Sequence, residues 1–308
     1  MVAVSTRSML GRVYGRTPRV SLPGRFRSWK YLFPSVVIFV VFGVIPVLWV
    51  LYQSTFVWSA FAGTRRFAEL QNYHSIVHSS EHMLALGRTL LFVGLALAVQ
   101  MPLGLGIALL LNRTFRGRGV VRTLLILPLT IPPVSVGATW LLFMRKGTGF
   151  VPGVLDLVGI NFAIGENAVH AWIGIVLMDA WHWVPLLALI FLAGLTSVPP
   201  SLVESAKIDG ANRFEIFWHV TLPELKTVGI VALLIRTMDL FRAYDSLWML
   251  TGGGPGSSTF VLNMDIVRTV LNAANYGLGS ALSLFTLYII VVLSWLMVNT
   301  LYQEVLAS

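Results

Sequence analysis

Long stretches without a charged residue dominate this sequence. No Asp, Glu, Lys or Arg occurs from Tyr31 to Thr64 or from Thr89 to Asn112. A helix needs about 20 mostly apolar residues to cross a bilayer, because its backbone groups find no water inside the hydrocarbon. The whole chain is 56% hydrophobic and 11% charged, whereas a typical soluble domain is about 25% charged. The sequence therefore predicts an all-α integral membrane protein rather than a soluble globular one.

Six segments are long and apolar enough to cross a membrane. The first apolar run is too long for the hydrophobic region of a signal peptide, and no A-x-A-like cleavage site follows it, so we expect a retained anchor. A basic tail, residues 1–30, precedes one transmembrane domain, residues 31–302. The six helices are predicted at about 31–55, 89–112, 123–144, 170–196, 227–250 and 277–302.

The basic residues are distributed unevenly between the two predicted sides of the membrane. The tail, the loop 113–122 and the segment 197–226 contain seven, four and three Lys or Arg, which makes fourteen, and the opposite loops contain six. The positive-inside rule then places both termini in the cytoplasm of a cell-membrane protein. The net charge of +9 is spread over separate loops, which is unlike a nucleic-acid-binding face, and we expect no nucleic-acid partner.

The predicted cytoplasmic segment 197–226 is too polar to span a membrane and is expected to form two short helices. Ser201 and Glu204 have the spacing of a capping box for the first helix. Gly210 suits the left-handed turn that ends a helix. The second helix should end before Pro223, since proline interrupts a helix interior. On pattern alone, an interfacial amphipathic loop is the alternative interpretation.

This segment is similar to the EAA loop of ABC-importer permeases. The matching residues are Glu204-Ser205-Ala206, then Gly210, then Val220-Thr221-Leu222-Pro223, with Ser205 and Val220 as conservative departures. Other stretches resemble the larger, MalF-like subunit of carbohydrate importers. One departure is Arg88, where that family often has an asparagine before Thr89. These stretches are YLFPSVVIFVVFGVIPVLWVLYQST, LQNYHSI, RTLLILPLTIPPVSVGATW and YDSLWMLTGGGPGSSTFVLN.

The resemblance implies a type I ABC importer permease fold that works by alternating access. It implies as partners a second homologous permease, two ABC ATPase subunits, an extracytoplasmic binding protein, membrane lipid and a sugar. ATP and Mg would be bound by the ATPase subunits, and no cofactor is expected in this chain. The EAA loop would form a coupling helix on the ATPase. The implied coupling residues are Glu204, Ser205, Ala206, Asp209, Gly210, Leu222 and Pro223.

Polar side chains inside the fourth and fifth predicted spans are candidates for substrate binding. The fourth contains Asp179 beside Trp181 and Trp183, and the fifth contains Arg236 and Asp239 at helical i,i+3 spacing. A charged group inside a membrane is costly, so it faces the protein interior or a wet cavity. Aromatic rings beside a polar group suit a sugar. The alternatives are an interfacial aromatic belt with a structural hydrogen bond, and ion pairs that only hold the helices together.

No motif in the sequence predicts catalysis or a metal site. Thr251–Gly256 is rich in glycine but lacks the lysine of a phosphate-binding loop, so we expect a flexible outer turn, which in the family lies towards the binding protein. His74, His78 and His82 are four residues apart, but we expect an ordinary surface helix there rather than metal ligands.

Three rival functions remain open at this point. A secondary transporter or channel would use Asp179, Arg236 and Asp239 as a proton or ion relay. A structural or signalling membrane subunit would need no substrate contacts. Within the importer class, a polyol or a glycerol phosphate is the alternative cargo.

Overall fold

The computed structural model describes residues 29–61 and 63–307, and the side chains of 31–61 and 63–299. Of the predicted basic tail, residues 1–28 lie outside the described residues. The regular secondary structure of the described residues is helical except for one β-hairpin. The α-helices are α1 (Trp29–Phe39), α2 (Ile45–Ser54), α3 (Gln71–His78), α4 (Ser80–Asn112), α5 (Arg118–Ile126), α6 (Pro133–Met144), α7 (Phe150–Asp156), α8 (Ala168–Ser197), α9 (Pro200–Ile208), α10 (Arg213–Ile216), α11 (Leu222–Glu224), α12 (Lys226–Leu240), α13 (Asp245–Thr251), α14 (Leu262–Val267) and α15 (Tyr276–Ala307).

The chain divides into two compact units, and the first ends at Val50. In that unit, α1 continues through a π-helical turn, Val40–Val44, into α2. The resulting apolar helix, Tyr31–Ser54, is long enough to cross a membrane, and none of its most apolar window is buried. The first span was predicted at 31–55, and whether this helix crosses a membrane stays a prediction.

Three further helices, all in the second unit, are long and apolar enough to cross a membrane: Ser80–Asn112, Ala168–Ser197 and Tyr276–Asn299. The first of these, α4, has 33 residues, so at 1.5 Å per residue it is about 50 Å long. That length exceeds the hydrocarbon thickness of about 30 Å. Helix α4 therefore extends beyond the predicted span, which began at Thr89, by nine residues.

The third predicted span is a bent pair of helices rather than one straight helix. Arg118–Thr130, which ends in a 3₁₀ turn, meets Pro133–Met144 at 99°. Pro132 and Pro133 stand at the bend. Proline supplies no backbone N–H and disfavours helical geometry in the residue before it, so the helix cannot continue straight through this dipeptide.

The fifth predicted span is also broken. Helix α12 ends at Leu240, and a separate short helix, α13, begins at Asp245. At its other end α12 is bent by 63° against Arg213–Glu224. The described chain thus has four helices that could each cross a membrane, or up to six if each bent pair counts as one span.

The EAA loop begins with α9, which differs at one end from its prediction. Pro199 is the N-cap residue of α9 and no side chain caps this end, so the capping box predicted from Ser201 and Glu204 is wrong. Proline at the first helical position removes the need for a side-chain acceptor there, since its nitrogen carries no hydrogen. Gly210 follows α9 with φ of +83°, the left-handed geometry that the sequence predicted.

The second half of the EAA loop continues past the predicted end at Pro223. Asn212 and Glu215 form a capping box at the start of α10. A π-helical turn, Phe217–Thr221, then leads directly into α11. Pro223 lies just after this π-helical turn, within the continuous helical segment Arg213–Glu224. The prediction that the helix ends before Pro223 is therefore wrong.

A two-stranded hairpin after the first helix was not predicted. Strands β1 (Phe56–Ser59) and β2 (Thr64–Phe67) pair antiparallel, with Phe56 opposite Phe67. Ser59 also forms an isolated bridge with Asn275, so the hairpin joins the chain just before α15.

The core of the second unit forms where α4 packs against α8. Gly104 lies on α4 directly against Leu187, and an added Cβ there would come within 2.7 Å of the Leu187 Cβ. Gly137 of α6 lies equally close to the backbone of α13, at Ser246. Small residues allow helices in membranes to approach closely and gain dispersion contacts. Helices α4, α8 and α12 contact one another pairwise. Their junction contains buried polar side chains from all three helices.

Candidate functional site

A cluster of four polar side chains lies where α4, α8 and α12 meet. Gln100, Asp179 and Arg236 are 0%, 3% and 1% exposed. The fourth member, Asp239, is partly exposed. We call Gln100, Asp179, Arg236 and Asp239 the polar cluster. Buried polar groups are costly unless they are hydrogen-bonded, and the cost is greatest for charges.

Hydrogen bonds satisfy the guanidinium of Arg236 at all three nitrogens. Its Nε donates to Gln100 Oε1 at 2.8 Å, its Nη2 donates to Asp179, and its Nη1 donates to Asp239. Gln100 Nε2 also donates to Asp179 Oδ2 at 2.6 Å. The cluster is a network that joins three helices, and each nitrogen of the Arg236 guanidinium donates to a protein group.

Helical spacing explains which predicted residues come together. Asp179 and Trp183 are four residues apart on α8, so they lie on one face. The guanidinium carbon of Arg236 lies 5.0 Å from the ring centre of Trp183, within the range of a cation–π contact. Asp239 is three residues from Arg236 and pairs with it. Four of the five predicted substrate-binding residues thus lie together, in or directly beside the polar cluster: Asp179, Trp183, Arg236 and Asp239.

Trp181 is the exception. Two residues from Asp179, it is rotated by about 200° around α8 at 3.6 residues per turn. It packs edge-on against Trp140 with 6.0 Å between ring centres, and it is 43% exposed. Trp181 therefore lies on a different face of α8 from the polar cluster.

The polar cluster has one accessible edge, formed by Asp239 and Trp183. The Asp239 side chain is 33% exposed, and Trp183 is half-buried. Arg242, which is largely exposed, places its Nη2 3.9 Å from Asp239 Oδ1. With both carboxylates ionised, the cluster itself has one more negative than positive charge. Its accessible edge presents hydrogen-bond acceptors beside an aromatic ring.

Gln100 was missed at the sequence level. A weak signal was present, because it is a single amide within an otherwise apolar stretch, ALALAVQMPLGLG. Its partners lie 79 and 136 residues away in the chain, so only the folded structure shows them.

The predicted coupling residues lie on an ordered turn of the EAA loop. The N–H of Gly210 donates to the Lys207 carbonyl at 3.1 Å, and that of Ala211 donates to the Ala206 carbonyl at 2.9 Å. These two bonds form a Schellman motif, which closes the end of α9. Glu204, Ser205, Asp209, Gly210 and Pro223 are exposed, and Ala206 and Leu222 are half-buried.

One apolar side chain projects from the same turn. Ile208, at the last position of α9, is 86% exposed. A large apolar side chain in a polar, ordered loop is typical of a contact with another protein. The loop therefore presents an acidic and apolar surface on a rigid backbone.

The glycine-rich stretch Thr251–Gly256 differs from its prediction as a flexible turn. The Thr259 hydroxyl, fully buried, donates to the Gly254 carbonyl at 2.8 Å. It also lies 2.9 Å from the Thr251 hydroxyl. These bonds fold the stretch onto itself, so it forms an ordered loop.

The three histidines near the start of α4 contact other protein groups. The rings of His74 and His78 stack with centres 3.9 Å apart, and His82 pairs with the buried Asp265 at 2.5 Å. Within 29–61 and 63–307, no three His, Asp or Glu residues are grouped so that they could hold a metal ion.

The chain matches the profile of a known protein family. Residues 100–301 match the profile of the family described as binding-protein-dependent transport system inner membrane component. This chain belongs to that family. The match begins at Gln100 and includes the rest of the polar cluster and the whole EAA loop.

Members of this transport family with known names are similar over most of the chain. The trehalose/maltose transport system permease protein MalF of Thermococcus litoralis is 34% identical over 265 residues, which are 85% of this chain and 89% of the relative. The trehalose transport system permease protein SugA of Mycobacterium tuberculosis is 32% identical over 236 residues, 76% of this chain and 74% of the relative. The predicted resemblance to sugar permeases of ABC importers is confirmed.

A solved structure shows the same fold. A chain of a bacterial ABC transporter involved in the import of the acidic polysaccharide alginate matches with a TM-score of 0.77, over 89% of this chain and 94% of that one. The two are 23% identical, so this similarity concerns the fold alone. The predicted all-α ABC importer permease fold is confirmed, and the chain is a membrane component of a transport system.

Proposed function

We propose that this chain is the permease subunit of an ATP-driven importer that moves a sugar delivered by an extracytoplasmic binding protein. The named relatives support a carbohydrate cargo, since MalF and SugA are described as trehalose/maltose and trehalose transport permeases. The observation that carries the proposal is the accessible edge of the polar cluster, where Asp239 lies beside Trp183.

This edge offers the two kinds of contact that a sugar needs. The Asp239 carboxylate accepts hydrogen bonds from sugar hydroxyls, and the ring of Trp183 packs against the apolar C–H face of a pyranose. Arg236, held by Gln100 and Asp179, fixes the position of the Asp239 carboxylate. Charge-assisted hydrogen bonds of this kind are stronger than neutral ones, and a preorganised acceptor loses little conformational entropy on binding.

The charge of the edge favours a neutral cargo over a glycerol phosphate. A phosphate would need an accessible guanidinium, and Arg236 is buried and already paired with two carboxylates, Asp179 and Asp239. Arg242 is exposed, but it forms an ion pair with Asp239, with 3.9 Å between Nη2 and Oδ1. A neutral polyol remains compatible with the same contacts, and the cargo panel described below includes one.

We further propose that the EAA loop couples this site to two cytoplasmic ATPase subunits. Its Schellman turn at Gly210 and the projecting Ile208 support a rigid, partly apolar joint. The remaining partners are a second homologous permease and the binding protein itself. The excess of basic residues in the segments 1–30, 113–122 and 197–226 supports cytoplasmic termini in the cell membrane.

The test is to assemble the transporter from this chain and its partner subunits in proteoliposomes. ATP hydrolysis and uptake would be measured with binding proteins loaded with a disaccharide, a polyol or glycerol phosphate. We expect one sugar-loaded binding protein to stimulate both. Stimulation only by glycerol phosphate would contradict the neutral cargo, and uptake that follows a proton gradient without ATP would contradict the importer.

Site variants make the test specific to the proposed contacts. Asp239→Asn removes the charged acceptor from the accessible edge, and we expect a higher KM for uptake. The matched control is Trp181→Ala, on the opposite side of α8, where we expect an unchanged KM. An unchanged KM for Asp239→Asn would exclude the accessible edge as the sugar contact.

A further inference from the structure

An apolar groove lies outside the polar cluster. It is in the second unit, near the C-terminal end of α4 and the N-terminal end of α5. The groove has a volume of about 610 Å³ and lies between α4, α5 and α8. Almost all of its lining is aliphatic or aromatic. Lining residues include Leu103, Ile107, Val121, Leu124, Leu125 and Trp181.

Two arginines on α5 lie one helical turn from residues that line this groove. Arg118 is three residues from Val121, and Arg122 is three residues from Leu125, so each is a helical neighbour of a groove residue. The Nε atoms of both arginines are buried and have no hydrogen-bond partner among the described residues. Buried donors without partners are rare in proteins, because each costs free energy. The structure thus contains two unsatisfied cationic donors beside an apolar groove.

The surroundings of these arginines contain no compensating acid. Arg113 and Arg116 precede them, and no Asp or Glu occurs between Glu81 and Asp156. None of the ion pairs described for residues 31–61 and 63–299 involves these four arginines. No acidic side chain of the described residues thus pairs with these arginines, and an anionic ligand would complement them.

We propose that the groove holds an acyl chain of an anionic phospholipid, whose phosphate accepts hydrogen bonds from Arg118 and Arg122. The depth of the groove agrees with a lipid tail. Leu103 and Ile107 lie nine and five residues before the end of α4, which is about 8–14 Å along the helix. The groove thus begins near the predicted cytoplasmic surface, where anionic lipids are concentrated.

The unsatisfied donors favour a lipid over a protein occupant. An apolar helix of the partner permease would cover Val121 and Leu124 equally well. It would leave the Nε atoms of Arg118 and Arg122 unpaired in a drier environment, which increases their cost. A phospholipid supplies both the acyl chain and the anion.

Native mass spectrometry of the assembled transporter tests this proposal. The detergent-purified complex would be titrated with palmitoyl-oleoyl-phosphatidylglycerol and, separately, with the phosphatidylcholine of the same acyl composition. We expect the complex to retain phosphatidylglycerol at a defined stoichiometry and to bind phosphatidylcholine much more weakly. The double variant Arg118→Gln/Arg122→Gln should bind phosphatidylglycerol about 30-fold more weakly than the unchanged complex. Each basic residue near an anionic leaflet contributes a factor of about five in affinity.

Two further variants separate a built site from general electrostatics. Arg113→Gln/Arg116→Gln removes the same charge from the same loop, and we expect less than a threefold loss because these side chains do not border the groove. Leu124→Trp adds bulk at an exposed groove position and leaves the arginines in place. It should reduce phosphatidylglycerol binding while the complex stays assembled.

Four results would overturn the proposal. Equal retention of the two lipids would mean that the arginines do not select an anionic headgroup. Equal losses in the two arginine pairs would indicate a diffuse electrostatic attraction. Competition by inorganic phosphate as effective as that by the lipid would mean that the groove takes no acyl chain. The chain has no cysteine, so Leu124→Cys introduces a single thiol, and its efficient cross-linking to the partner permease would identify a protein occupant.

Discussion

Replacing Asp179 by Asn should destabilise the protein far more than the same change at Asp239. Both carboxylates pair with Arg236. The side chain of Asp179 is only 3% exposed, whereas that of Asp239 is 33% exposed. Removing one partner of a buried ion pair costs about 3–5 kcal/mol, because the other charge stays buried without compensation. Asn keeps one acceptor oxygen for Gln100, so we expect the lower end, about 3 kcal/mol.

The expected cost at Asp239 is smaller for a physical reason. Water reaches its carboxylate and screens the pair, and exposed pairs contribute about 1 kcal/mol or less. For a unit of this size, 1 kcal/mol corresponds to about 2–4 °C in Tm. We therefore expect Asp179→Asn to lower Tm by about 6–12 °C and Asp239→Asn by no more than about 4 °C. Tryptophan fluorescence of the purified protein during heating measures both.

A third variant separates stability from transport. Asp179→Leu/Arg236→Met replaces the buried pair with apolar side chains, a change that is often neutral or stabilising. We expect its Tm to recover towards that of the unchanged protein, although sugar uptake should be lost because Asp239 has no positioned cation. Equal Tm losses for the two Asp→Asn variants, or no loss for Asp179→Asn, would refute the assignment of Asp179 to a buried network.

Three other predictions concern the EAA loop, the aromatic residues and helix packing. Gly210→Val should uncouple ATP hydrolysis from uptake, because a β-branched residue is strained at a φ of +83°; uptake and hydrolysis rates in proteoliposomes check this, and unaltered transport would contradict it. Trp183→Ala should raise the KM for uptake, whereas Trp181→Ala should not, and equal KM values would contradict the assignment of Trp183 to the accessible edge. Gly137→Leu should lower the yield of folded protein, because an added Cβ would lie 2.5 Å from a backbone oxygen of α13 and overpacking costs about 1–3 kcal/mol. Gly94→Leu is the control, since no atom lies within 4 Å of an added Cβ there, and equal yields would contradict a tight contact between α6 and α13.

The sequence predicted those features that depend on composition and local spacing. Apolar length located the long helices, and the i,i+3 spacing of Arg236 and Asp239 predicted their pairing. The bend after Pro132 was not predicted, although its cause is local, because an apolar run of suitable length was assumed to be one straight helix. Gln100 was not predicted at all, because its role depends on contacts 79 and 136 residues away in the chain.

The same distinction applies to the two tryptophans of α8. Trp181 and Trp183 are equivalent by composition, and both lie close in sequence to Asp179. Which of them shares a face with Asp179 follows from helical periodicity alone, since a spacing of four returns to the same face and a spacing of two does not. The sequence therefore contained enough information to place Trp181 on a different face of α8 from Asp179, once the segment was treated as a continuous helix.

The polar cluster and the EAA loop are joined by a single helix. Helix α12 begins at Lys226, directly after α11, and Arg236 lies ten residues further on, about 15 Å along the axis. A displacement of the EAA loop would move Arg236 relative to α4 and α8, where its hydrogen bonds to Gln100 and Asp179 are short and directional. Such bonds weaken steeply when their geometry changes. A shift of α12 by even a few ångströms would therefore release Arg236 from its partners and alter the position of Asp239 at the accessible edge, which provides a direct physical connection between the loop and the proposed sugar contact.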